Sequence, residues 1–451
     1  MSRAMFLATS LSTLVLATGM LAFSLSPSLA QVQGPDPVSE TVTRSPEEIY
    51  SQLRLFGEVF DRIRKEYVDV PDEKELIRAA IDGMLSSLDP HSGYLTPSSN
   101  DAIRQDTSGE FGGLGIELTM QEGVVKVISP IPDTPAERAG LQSNDFIIKL
   151  DGKPVLGLGM DATIAKMRGA VGDPITVTVV REGVTEPFDV TLVRDRIPLR
   201  AVHWTLEDGV GVMRLDSFSE QAFPGIRNAI LDMIAQEDGK LPAGLIIDLR
   251  NNPGGLVDQA VAIADAFLSE GAILLTRGRT EAESARYDAQ PDDLDKLVAD
   301  VPLIILINGG SASASEILAG ALQDQKRATI IGTRSFGKGS VQLIISLGED
   351  GAMKLTTARY YTPSNRSIQA VGIQPDIEIL QNVPKEFQGR DEIVGEAALD
   401  GQIGGGSAAE ATTGSSTYVP SDRSLDTQLN YAIDLVLGKE SNPAFPAAKD
   451  E

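Results

Sequence analysis

The chain has 451 residues, 42% of them hydrophobic, and sets 39 Lys plus Arg against 64 Asp plus Glu for a formal charge of −25. So acidic a chain does not hold nucleic acid through its phosphates, because that affinity rests on clustered cations. It has no cysteine and only two histidines, His91 and His203, which excludes disulfides, thiolate catalysis and iron–sulfur clusters and argues against mechanisms needing several imidazoles. No metal or cofactor is expected, so the chemistry falls to hydroxyls, carboxylates, lysines and backbone amides.

Arg3 precedes an apolar run from Ala4 to about Leu25, followed by Ser28-Leu29-Ala30. A cationic start, an apolar stretch and small residues at −3 and −1 are the marks of a secretory signal over 1–30, cleaved after Ala30. An uncleaved anchor is the alternative, since the run is almost long enough to span a bilayer. The expected location is the periplasm of a bacterium with two membranes, membrane-associated if the signal is retained. Residues 31–45 read as a linker.

Ser45-Pro46-Glu47-Glu48 has the chemistry of a helix start: a capping hydroxyl, proline at the first position and acids in the first turn. Ile49, Leu53, Phe56, Val59, Phe60 and Ile63 follow at helical spacing, and a second helix is expected over Glu73–Leu88. This helical region, 46–104, includes the turn Asp89-Pro90-His91-Ser92-Gly93. Residues 105–197 change to short alternating strands with two small helices, Ala136–Ala139 and Ala162–Arg168, the pattern of a compact β module. Over 198–400, almost wholly apolar strands (Val210–Leu215, Ala243–Leu249, Ala272–Thr276, Pro302–Ile307) alternate with helices, which predicts a parallel sheet buried on both faces. Residues 401–420 form a Gly/Ser-rich linker, and 421–451 hold a final amphipathic helix, Ser424–Leu437, and a tail. Phe56, Phe60, Tyr360 and Tyr361 are read as core.

Three stretches carry candidate chemistry. Asn308-Gly309-Gly310-Ser311-Ala312-Ser313-Ala314-Ser315-Glu316 joins a buried strand to a helix start, where amides and the helix's positive end suit an oxyanion. Its three alternate serines leave the nucleophile open, and none has glycine two residues later, as a G-x-S-x-G elbow requires. In Ser335-Phe336-Gly337-Lys338-Gly339-Ser340-Val341-Gln342, glycines flank a lysine. A tight, dry setting disfavours an ammonium, which is what makes a lysine a base. Gln342, four residues on, would share a strand face with Lys338 and could orient the amine without adding charge. The string fails as a phosphate loop because Gly339 stands where Ser or Thr is needed. Asp248-Leu249-Arg250-Asn251-Asn252-Pro253-Gly254-Gly255 ends an apolar strand in a turn whose amides can face a bound group. His91 lies in a turn and His203 starts a strand, and neither has the flanking acid of a Ser-His-Asp triad.

Together the three stretches, with Arg366-Ser367-Ile368-Gln369-Ala370-Val371-Gly372 and its continuation, resemble the C-terminal processing (tail-specific) peptidases over roughly Glu47–Leu380. The resemblance implies an α/β multidomain protein: a ClpP/crotonase-like catalytic core, a β-rich PDZ domain and a helical N-terminal region. It implies a serine endopeptidase with Ser313 as nucleophile, Lys338 as general base and Gln342 orienting the lysine. The amides of Ala314 and of Gly254 or Gly255 would form the oxyanion hole, which glycine being open. In the PDZ domain, Gly113, Leu114, Gly115 and Ile116 resemble the loop that binds a terminal carboxylate, so substrates with free apolar C-termini are expected. The apolar faces of 46–88 and Ser424–Leu437 point to a homo-oligomer, and some relatives work with an activating adaptor. The competing readings are a catalytically silent or activator-dependent PDZ scaffold and, more distantly, an acyl-CoA enzyme on a crotonase-like core.

Overall fold

The computed structural model describes residues 45–121, 123–404 and 414–446. The expected signal, nearly all of the first linker, part of the Gly/Ser-rich linker and the last five residues lie outside the described residues. The chain divides into two compact units, 1–72 and 73–451. In the first, helix Pro46–Glu66 starts as its sequence dictates: Ser45 Oγ accepts the Glu48 N–H and the Glu48 carboxylate accepts the Ser45 N–H. This helix buries none of its residues, and Phe56, expected in a core, is 53% exposed.

The second unit opens with helix Glu73–Ser86 and a short strand, Gly93–Leu95. Helix Pro97–Ser108 follows, crossing the boundary expected at 104. It is polar and lacks apolar periodicity. Its ends are set by Thr96, whose hydroxyl accepts the Ser99 N–H, and by Gly109 in the left-handed region.

The β module is a sheet ordered Ile116–Gln121, Val124–Pro130, Phe146–Leu150, Pro174–Val180, Phe188–Val193, with the first strand at a free edge. Inward residues such as Val125, Val127, Ile147, Val177 and Val179 build its own core. Glu110–Gly113 pairs with Asp195–Pro198 and closes the module at its neck.

The main sheet is ordered Val202–Glu207, Val210–Leu215, Leu245–Asp248, Leu303–Ile307, Thr329–Gly332, Ile377–Glu378, parallel except for the first, antiparallel pair. Alternate residues face opposite sides. Leu245, Ile247, Leu303 and Ile305 pack with the helices Ala222–Gln236, Val257–Asp265 and Ala314–Asp324, whereas Ile246, Ile304, Leu306 and Ile331 face helix Thr427–Val436. That corrects the expectation for the final helix: Leu429, Ala432, Ile433 and Leu435 are buried against the back of this chain's own sheet and need no second copy. A second correction concerns Ala272–Gly278, which joins a separate antiparallel sheet with Ala352–Tyr361 and Ala285–Asp288. A continuous apolar run signals burial but not the direction of its partner. Tyr360, in the same sheet, is buried as expected.

Candidate active site

The three sequence stretches follow Leu245–Asp248, Leu303–Ile307 and Thr329–Gly332, which are adjacent parallel strands. Their carboxyl ends are where an open α/β sheet offers free amides and room for a ligand, so segments far apart in sequence meet there.

The flanking serines of the first stretch are committed to structure. Ser311 Oγ donates to Leu249 O at 2.8 Å and Ser315 Oγ to Asn252 O at 3.0 Å, and both residues are fully buried. Ser313, 8% exposed, donates to no carbonyl among the described residues and starts the helix in a capping-box arrangement with Glu316. Its backbone has φ 56° and ψ −113°, a strained conformation for a residue with a side chain, held at the start of helix Ala314–Asp324. The glycine turn presses on it: a Cβ on Gly254 would lie 2.8 Å from Ser313 Cβ and 2.9 Å from Ala314 N, so only glycine fits. Gly254 N–H donates to Asn252 Oδ1 at 2.8 Å. Among the described residues the amides of Gly255 and Ala314 have no hydrogen-bond acceptor.

Lys338 lies in the loop before strand Ser340–Ser346. Burial pushes its amine below the ordinary lysine range, and the Lys354 ammonium adds to that against the opposing pull of Glu396, Glu316 and Asp89. A Cβ on the next residue, Gly339, would strike Gln369 N at 2.3 Å, so glycine is obligatory there. Among the described residues the structure shows no hydrogen bond between Ser313 Oγ and Lys338 Nζ. Gln342 Nε2 donates instead to Ser340 Oγ at 2.9 Å and Thr356 Oγ1 at 3.3 Å. The strand-face argument for Gln342 does not hold: Lys338 precedes the strand, and the pairing register shifts between Val341 and Gln342.

A residue given no role from sequence joins the two halves. Glu316 is fully buried, yet its carboxylate accepts the Ser313 N–H at 2.7 Å, the Lys338 N–H at 2.9 Å, the Gly337 N–H at 2.6 Å and the Ser335 hydroxyl at 2.6 Å. Burial pushes it up to about 7, against the pull of those four donors. The available signal was an acid three residues after Ser313 in an otherwise apolar helix.

Gly113, Leu114, Gly115 and Ile116 of the β module line one side of a cleft of about 690 Å³ whose other wall, including Leu199, Val202, Gln221 and Asn228, comes from the catalytic domain. Ile164 and Met167 of helix Met160–Met167 face it, beside the free edge of Ile116–Gln121.

A model of peptidase family S41 matches residues 209–379, spanning all three loops. A carboxy-terminal-processing protease of Bartonella bacilliformis is 49% identical over 404 residues, covering 90% of this chain and 92% of that protein. The chain belongs to the S41 peptidases. This S41 protease is also similar to a probable CtpA-like serine protease of Staphylococcus saprophyticus, 35% identical and covering 73% of this chain and 65% of that one. Its β module matches a PDZ-domain model over 112–192, and residues 18–98 match the N-terminal domain of the activating protease CtpB. Among solved structures, the photosystem II D1 C-terminal processing protease is similar at 29% identity and TM-score 0.41, covering 73% of this chain and 93% of that one. The protein is a C-terminal processing protease of serine type with a PDZ domain.

Proposed function

We propose that this S41 protease is an exported endopeptidase cleaving proteins at or near their C-termini with a Ser313–Lys338 pair. The observation that carries this is the contrast among the serines: Ser311 and Ser315 are tied to carbonyls, while Ser313 sits in a strained turn against Gly254, next to the unclaimed amide of Ala314. Neutral Lys338 takes the Ser313 proton as Oγ adds to the scissile carbonyl, and the oxyanion is held by the amides of Ala314 and Gly255. Gly255 is preferred to Gly254 because the Gly254 amide already serves Asn252. The protonated lysine returns its proton to the leaving amine, and water, deprotonated in turn by the lysine, releases the acyl group. Both Gln342 amide protons being engaged, its Oε1 is the end available to accept from Lys338 and aim the amine.

Ile164 and Met167 facing the cleft beside the Gly113–Ile116 loop, and the free strand edge, support recognition of apolar free C-termini by strand addition. The leader supports export to the periplasm, and among the described residues no helix is long and apolar enough to cross a membrane. The exposed apolar face of Pro46–Glu66 supports a homo-oligomer. Degradation of an unstructured protein with an apolar C-terminus should fall by orders of magnitude in S313A and K338A and weaken when the substrate's C-terminus is amidated. K338A turning over at the wild-type rate would sink the dyad.

A further inference from the structure

The turn Asp89-Pro90-His91-Ser92-Gly93 has no part in the chemistry above, yet it is densely hydrogen-bonded. Asp89 is 4% exposed. Its Oδ1 accepts the N–H groups of His91 and Ser92, each at 2.8 Å, and the Thr356 hydroxyl at 3.0 Å, while Oδ2 accepts the Ser92 hydroxyl at 2.8 Å. Burial raises this carboxyl, but the donors outweigh burial and hold it below the ordinary carboxylate range.

From this turn two chains of hydrogen bonds reach the lysine segment. In the first, Thr356 gives its only proton to Asp89, so its oxygen can only accept, and it accepts Gln342 Nε2. Asp89 thereby fixes which end of the Gln342 amide is left for the amine. In the second, His91 Nε2 lies 2.8 and 2.9 Å from the two carboxylate oxygens of Glu396. Gln369 Nε2 donates to Glu396 at 2.9 Å, and Gln369 Oε1 accepts the Gly339 N–H at 3.0 Å. Gln369 and Glu396 are 0% and 1% exposed, so water does not replace a lost link. Two further bonds fasten the same loop: Ala370 N–H to Gly337 O at 2.8 Å and Glu396 N–H to Phe336 O at 3.0 Å.

We propose that the Asp89–Ser92 turn is a clamp for the general base, with Asp89 acting through Thr356 and Gln342, and His91 through Glu396 and Gln369, as positioning residues for Lys338. The proposal rests on Lys338 being that base. Its physical ground is that a lysine amine rides on a flexible four-carbon stem. Satisfied buried polar networks rigidify what they bind, and here they grip the backbone one residue after the lysine and the amide that would orient it. The charges around the amine are Lys354, Glu396, Glu316 and Asp89.

The test uses the full chain with T356V, H91A, H91Q, E396Q, S313A and K338A. It measures kcat and KM on a protein substrate, and the pH dependence of the rate at which a fluorophosphonate labels Ser313. T356V and H91A should lower kcat and the labelling rate together by about 10- to 100-fold, the scale of a small misplacement of a reacting group. KM should stay within about twofold, because substrate binding is untouched. H91Q, which can still donate to Glu396, should recover most of the H91A loss. E396Q keeps the hydrogen-bonded chain but removes an anion that stabilises the ammonium, so the acid limb of the labelling profile should move to lower pH. Normal kcat and labelling in T356V and H91A, with S313A and K338A inactive, overturns the clamp and leaves the dyad standing. Activity in K338A overturns the dyad and the clamp with it. Should H91A fail to fold, T356V decides, since it leaves every bond within the Asp89 turn in place.

Discussion

Two charges are buried at the same edge of the main sheet, and they are satisfied in opposite ways. Arg250, 1% exposed, reaches Asp248 at 2.7 and 2.8 Å and Asp426 at 2.7 and 2.8 Å, with Gln428 Oε1 at 3.0 Å. Burial disfavours its charge, but the two carboxylates more than offset this and raise its pKa further. Asp426 caps helix Thr427–Val436, so this cluster fastens that helix to the strand leading into the glycine turn. Glu316 is held by four neutral donors among the described residues, with the Arg334 charge interacting with it from a distance. Its four neutral donors come from the loops of Ser313 and Lys338. Counter-charges make a weld between structural elements. Three amides and a hydroxyl drawn from two catalytic loops make a template that sets their relative position, at a desolvation cost they only partly offset.

The largest test of that contrast is E316A, which leaves four donors buried without an acceptor and frees both loops. Turnover should fall by about 10²–10³-fold, the scale seen when a preorganised site loses its alignment. Activity within about tenfold of wild type, a 1.4 kcal/mol effect, would break the template reading. R250M should act on stability instead, leaving Asp248 and Asp426 buried without their cation at a cost of about 3–5 kcal/mol in urea unfolding. A loss below about 1 kcal/mol, the level of an exposed pair, would mean the cluster is no weld.

The smallest effect is a pH slope. Glu316 is raised to about 7 in the folded protein from an ordinary 4.5, so the folded state holds this proton more tightly than the unfolded chain. Its contribution to stability is therefore complete below about pH 4.5 and is lost as pH rises through about 7. Across that window wild type should lose up to about 3 kcal/mol relative to E316Q, from the size of the shift. Parallel stability curves for the two proteins would show that burial does not dominate at this carboxylate.

Much of this was legible in the residues. The apolar strands Val210–Leu215 and Leu303–Ile307 announce themselves because a strand buried on both faces has few polar positions, Arg214 alone in the first and none in the second. The glycine- and serine-rich stretches after the strands could be recognised because turn chemistry is local. Helix Pro97–Ser108 could not, since its caps rather than any apolar stripe define it. Nor could the place of Gln342, because a register shift at Val341 breaks the alternation that a strand argument assumes. The final helix showed an apolar face but not its partner, which is this chain's own sheet.

The sequence by itself determined most of the elements and the short motifs, since each depends on residues within a few positions of one another. Tertiary structure alone decided which serine hydroxyls and glycine amides are already taken and which remain free. It also joined Asp89 to Thr356 and His91 to Glu396, pairs 267 and 305 residues apart. A hydrogen-bond donor is used up by whatever lies within about 3 Å of it, and across such separations only the folded chain says what that is.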